Sequence, residues 1–126
     1  MKLDQDCVRD LLLVFEEHLG LNDRPFVSKF VPTHLEDRYD QEKILYTTLM
    51  LYESGLISGR TINVDGGVYD FVIFSLTPEG HAFIDNVRDP KIWAKTKNAV
   101  SGIAGVSLPV VAQLAQQLVK EKLGLA

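Results

Sequence analysis

The sequence predicts an α+β protein in which helices flank a single β-hairpin. Three observations carry this prediction. The segment DQEKILYTTLMLYESG has an N-capping Asp40, helical spacing of apolar residues and a terminating Gly55. The runs LISGRTINV and VYDFVIFSL are extended in character and separated by Asp65, Gly66 and Gly67, whose tolerance of positive φ suits a tight turn. Thr77-Pro78 and Asp89-Pro90 then follow as two helix-starting devices in close succession. At 126 residues, 46% hydrophobic and 24% charged, the chain has material for one compact core with a tail. The expected division is a core over 1–88 and a C-terminal helical extension over 89–126, packing on that core or on a second copy.

In chain order, Asp4 or Asp6 caps a first helix in which Cys7, Leu11, Val14, Phe15 and His18 recur at three- and four-residue steps, with Gly20 closing it. NDRPFVSKFV alternates Phe26, Ser28 and Phe30 with Val27, Lys29 and Val31, which predicts a short strand. THLE fits a one-turn helix with a capping box, or an extension of that strand. In the Asp40 helix, Ile44, Thr48 and Leu51 form one stripe and Leu45, Leu49 and Tyr52 an adjoining one, an unusually wide apolar arc. The hairpin follows. Thr77 then caps a helix with Phe83, Ile84 and Val87 inward. Asp89 starts another, with Ile92, Trp93, Ala99, Val100 and Ile103 on the apolar side, Lys91 and Lys95 outside, and Gly102 and Gly105 at its end. Ser107 and Pro109 open a last helix with Val111, Leu114, Ala115, Leu118 and Val119 as its apolar face, closed by Gly124.

The net charge of −4 is unevenly placed. Residues 1–59 hold six Lys and Arg against eleven Asp and Glu, so this half repels a phosphate backbone. The acidic start MKLDQDCVRD lacks the basic and apolar regions of an export signal, which predicts a cytoplasmic location. Cys7 is the only cysteine, which leaves no internal disulfide, and its place on an apolar face suits a packing role. His18, His34 and His81 are far apart in sequence, so no metal motif is signalled, and His81 is expected to be partly buried. The glycines after the first strand lack the spacing and the Lys of a phosphate loop. With no triad, paired-carboxylate or nucleotide motif, the expectation is a binding module without a cofactor, not an enzyme.

The order helix, strand, helix ending in LYESGLI, hairpin, then LTPEG resembles a winged-helix domain of the kind found in bacterial transcription regulators. The longer pattern, LYESGLI with LTPEGHAFIDNVRDPKIWAKTK and a closing LVKEKLGL, resembles a family of small bacterial and phage proteins of unknown function. The first resemblance implies a winged-helix-like core with a two-stranded wing. The second implies a phage or prophage association and no mechanism. A departure accompanies it: only Thr33 to Arg38 stands before the recognition-like helix, so its helix-turn-helix is expected to be degenerate.

Candidate contacts to a nucleic acid or protein partner are Gln41, Lys43 and Thr47, assigned to the solvent side of the recognition-like helix, with Arg60 on the wing and Arg88, Lys91 and Lys95 on the Trp93 helix. A wing tip carrying Asp65 and Asp70 opposes phosphates and disfavours DNA. The stretch from Asn98 to Val119 has no charged residue, yet polar side chains, Gly and Pro interrupt it, which argues against a membrane span. Val111, Leu114, Leu118 and Val119 are candidate oligomer contacts, and a homodimer is the expected state. The resulting expectation is a protein-interaction module that self-associates, with a winged-helix DNA-binding regulator as the alternative.

Overall fold

The computed structural model describes residues 1–101 and 106–125, and its contacts group the chain into two compact units, Met1–Gly80 and His81–Ala126. The architecture is α+β, with a winged-helix-like arrangement of three helices and a two-stranded antiparallel hairpin, followed by further helices.

Helix α1 (Gln5–His18) starts at Asp4, whose carboxylate accepts from the Cys7 amide at 3.1 Å, and it buries Cys7, Val8, Leu11, Leu12, Val14 and Phe15. The following segment departs from the expected strand: Val27–Leu35 is a helix, α2. Only Phe26 keeps strand geometry, bridging antiparallel to Val72. The alternation in FVSKFV coincides with helical spacing, since Val27 and Val31 are four apart and both buried. What tips the balance lies 42 residues away. Asp70 supplies the N-terminal acceptor of α2, taking the Ser28 amide at 3.2 Å and the Ser28 hydroxyl at 2.5 Å. Thr33–Leu35 forms the last turn of this helix and no separate element, with Thr33 Oγ1 donating to the Lys29 carbonyl at 2.8 Å. Pro32 lies inside α2 and cannot donate to the Ser28 carbonyl, which instead accepts from Gln41 Nε2 at 3.0 Å.

Helix α3 (Gln41–Glu53) is capped by Asp40, which accepts from the Lys43 amide at 2.7 Å, and it ends before Gly55, whose φ is +76°. Its buried face is Ile44, Thr47, Thr48 and Leu51. A nine-residue helix, α2, therefore precedes α3, where the sequence offered only Thr33 to Arg38. Thr47, expected on the solvent side, is 1% exposed because it falls one helical turn before Leu51, on the face that packs inward.

Strands β1 (Ile57–Val64) and β2 (Gly67–Leu76) form the hairpin, turning through Asp65 at φ +51° and Gly66 at φ +80°, the two positive values that a two-residue turn with matching twist requires. The register runs from Ile57 opposite Leu76 to Val64 opposite Gly67 and skips Phe74 and Tyr69, so β2 carries two bulges. Gly59 sits opposite the first; a Cβ there would collide with the Val72 carbonyl and the Phe71 ring. Asp70, opposite Ile62 near the turn end of the hairpin, is buried and not displayed at an acidic tip, because its carboxylate is occupied by Ser28 and by the Phe71 amide at 2.8 Å.

Helix α4 (Pro78–Val87) starts at Thr77, whose hydroxyl accepts from the Gly80 amide at 3.1 Å and donates to the Gly55 carbonyl at 2.6 Å. Gly80 is held closely against Leu56, whose carbonyl occupies the space of any Cβ. Phe83, Ile84 and Val87 are buried, whereas His81 is exposed, since it points away from their face. Helix α5 (Pro90–Val100) buries Ile92, Trp93 and Thr96. Ala99 is exposed instead of inward, because the buried stripe continues from Ile92 to Thr96 at four-residue spacing. Ile103, Gly102 and Gly105 lie outside the described residues. Helix α6 (Leu108–Lys122) packs against α5, burying Leu108, Val111 and Ala115, with Gly124 at φ +74° just beyond it. Among the described residues, no helix is long and apolar enough to cross a membrane.

Candidate functional site

Buried Ile44, Thr48 and Leu51 turn the opposite side of α3 outward, and there Leu45, Tyr46, Leu49 and Met50 are half-exposed between the exposed Glu42 and Glu53. Lys43 is the only Lys or Arg of this helix. Its ammonium pairs with Asp4 at 3.1 Å, and that hydrogen bond raises its pKa above the ordinary value. Gln41 is exposed, but its amide is engaged at the Ser28 carbonyl. Thr47 is buried. Arg60 is exposed on β1.

A cavity of about 270 Å³ opens where the N-terminal ends of α2 and α3 meet β2. Val27, Ile44 and Leu45 form its apolar floor, Ser28 and Asp70 one wall, and Glu42 and Tyr69 its accessible edge. Tyr69 is 71% exposed, a position given by its bulge, whereas Asp70 beside it is 6% exposed. Among the described residues, none of positive charge lines the cavity.

Behind α3, toward α1, lies a polar cluster with a structural task. Asp10 accepts from Tyr39 Oη at 2.7 Å and pairs with Arg38 at 3.1 Å, tying the turn before α3 to α1. Burial, reinforced by the Asp10 contact, raises the Tyr39 hydroxyl pKa. Burial also pushes the Cys7 thiol up to about 11, which the adjacent Thr47 hydroxyl offsets only in part. A thiol held in this way is protonated at neutral pH and is a poor nucleophile.

In the second unit, Lys91, Lys95 and Lys122 surround a depression of about 270 Å³ floored by Ile92 and Leu118, with Glu121 as its single carboxylate. Lys122 pairs with Asp89, the cap of α5, and holds the Asp89 carboxyl below its ordinary range. Arg88 pairs with Asp85 at 2.9 Å. Of the candidate oligomer contacts, Val111 is fully buried within its own chain, so it is removed from any surface, while Leu114, Leu118 and Val119 are half-exposed.

His18 and His34, distant in sequence, stack at 3.9 Å between ring centroids, with Phe30 edge-on to His34 at 4.9 Å. Among the described residues, no group of three or more His, Cys, Asp or Glu is placed to hold a metal ion. Neither the stack, the Asp70 cap nor the Tyr69 bulge was signalled locally, since each depends on partners brought in from another element.

Fold and surface together define a winged-helix-like α+β module with an apolar, acid-flanked outward helix. The family described as "Hypothetical protein (DUF2513)" matches residues 2–107, and the chain belongs to it. No curated protein and no solved structure matches the chain.

Proposed function

We propose that this protein is a cytoplasmic, phage- or prophage-associated binding module that acts without catalysis and engages a protein partner through the outward face of α3. One observation carries the reading: the helix that would enter a DNA groove offers Leu45, Tyr46 and Leu49 between two exposed carboxylates, and its one cation is spent on Asp4. Groove-reading helices need Arg, Lys, Asn or Gln free for phosphates and base edges. Apolar and aromatic side chains at helical spacing suit a protein interface instead. Self-association through the half-exposed Leu114, Leu118 and Val119 of α6 belongs to the same reading.

DNA binding is kept as a second reading because a complete helix, α2, precedes α3, as a helix-turn-helix requires. The test is capture from lysate of the native host with the wild-type chain and with a Leu45→Asp/Leu49→Asp variant, each with and without nuclease. The protein-partner reading expects nuclease-resistant capture that the double variant loses. Capture abolished by nuclease, or sub-micromolar sequence-specific DNA binding at physiological salt, would overturn it.

A further inference from the structure

We infer that the cavity at the N-terminal end of α3 receives an arginine side chain of the protein partner, with the guanidinium held between Glu42 and the ring of Tyr69. This rests on the protein-interaction reading and names the chemistry of its anchor. The argument begins with the bulges of β2. At the first, the ring of Phe74 already carries the guanidinium of Arg24 at 4.7 Å from its centroid. At the second, the bulge presents Tyr69, 71% exposed, at the edge of a cavity that contains no cation of its own. Both are aromatic rings turned out of the strand register, and among the described residues only the first has a cation over its face.

The lining matches an arginine in three parts. Val27, Ile44 and Leu45 form an apolar floor for the aliphatic stem, and about 270 Å³ is room for one large side chain. The Tyr69 ring offers a face on which a planar guanidinium stacks more favourably than an ammonium. Glu42 is exposed and has no ion-pair or hydrogen-bond partner among the described residues, so its carboxylate is available for a forked bond. Asp70 is already occupied by Ser28 and Phe71, and it adds negative potential without competing for the ligand. The surrounding unit reinforces this choice. Residues 1–80 hold seven Lys and Arg against fourteen Asp and Glu, a field that draws in a basic partner and repels an acidic one. A purely apolar anchor would use the floor and leave both the ring and the carboxylate without a role.

The probe is N-acetyl-arginine amide, titrated into the isotope-labelled full chain at low salt and followed by backbone amide shifts. N-acetyl-citrulline amide serves as the uncharged isostere and N-acetyl-norleucine amide as the apolar control. Saturable shifts are expected at Ser28, Leu45 and Tyr69, with a dissociation constant on the order of millimolar for so small a ligand. Citrulline should bind about tenfold more weakly, the loss of a charge-assisted bond. Glu42→Gln should weaken arginine by a similar factor while leaving the remaining resonances in place, and Tyr69→Leu should do the same. Equal binding of arginine and citrulline, tighter binding of norleucine, or no saturable shift at these amides would each overturn the inference. Because no partner is present, a positive titration beside failed partner capture would refute the proposed function alone, and the reverse pair of results would refute the arginine site alone.

Discussion

Removing the Asp70 carboxylate should unlock α2 from the hairpin. In Asp70→Ala the helix loses its only side-chain acceptor at the N-terminal end, since Phe26 at the cap position makes no side-chain bond. Loss of a capping side chain costs about 0.5–2 kcal/mol. The Ser28 hydroxyl is also left without a partner, and at half-burial it adds about 1 kcal/mol, the low end of the penalty for an unsatisfied group. The expected destabilisation is therefore about 1.5–3 kcal/mol, which at this chain length lowers Tm by roughly 5–12 °C. Urea denaturation followed by circular dichroism measures it, and an unchanged m-value would place the effect in stability, not in the compactness of either state. Asp70→Asn keeps one carbonyl oxygen and should lose about half as much. A loss in Asp70→Ala below about 0.5 kcal/mol, within the range of ordinary surface substitutions, would refute the claim that a hairpin residue holds α2 in place.

Three further outcomes are expected. Trp93→Ala should cost about 3–5 kcal/mol in chemical denaturation, because Trp93 is 4% exposed and its truncation leaves a large void. Thr47→Val should change stability by no more than about 1 kcal/mol, since the buried hydroxyl it removes has only the Cys7 thiol, a weak hydrogen-bonding group, beside it; it should also leave partner capture intact, because position 47 is not on the surface. The Asp89 carboxyl is held below its usual value of 3.8 by Lys122 and the Lys91 amide. Its contribution is thus present above that value and lost as pH falls through the lower folded value. Thermal melts from neutral pH to about pH 2 should show Asp89→Asn less stable than the wild type at pH 6 and converging with it in acid; a gap that persists in acid would contradict the ion pair.

The sequence by itself determined those elements whose signals are local. Asp40 and Gly55 bound α3, Asp65 and Gly66 make the hairpin turn, and Thr77 and Asp89 each cap a helix within three residues of themselves. In each case the donor and acceptor lie on the same short stretch of chain, so the residues can be read off directly. The order helix, hairpin, helix, helix from α3 to α5 followed from these signals. Tertiary structure decided the rest. FVSKFV satisfies strand and helix periodicity alike, and it becomes helix because Asp70, 42 residues on, caps it. Thr47 looked like a solvent position in a helix with a wide apolar arc, and which part of such an arc turns inward is set by what packs on it. The apolar stripe of α6 suits its own chain or a second copy alike, and the pairing of α5 with α6 leaves Val111 fully buried within its own chain. Tyr69 and Glu42 become one cavity edge only when a bulge in β2 brings the hairpin beside the start of α3. A local pattern specifies the hydrogen bonds an element can make with itself; which of its faces is covered depends on long-range contacts that no window of the sequence contains.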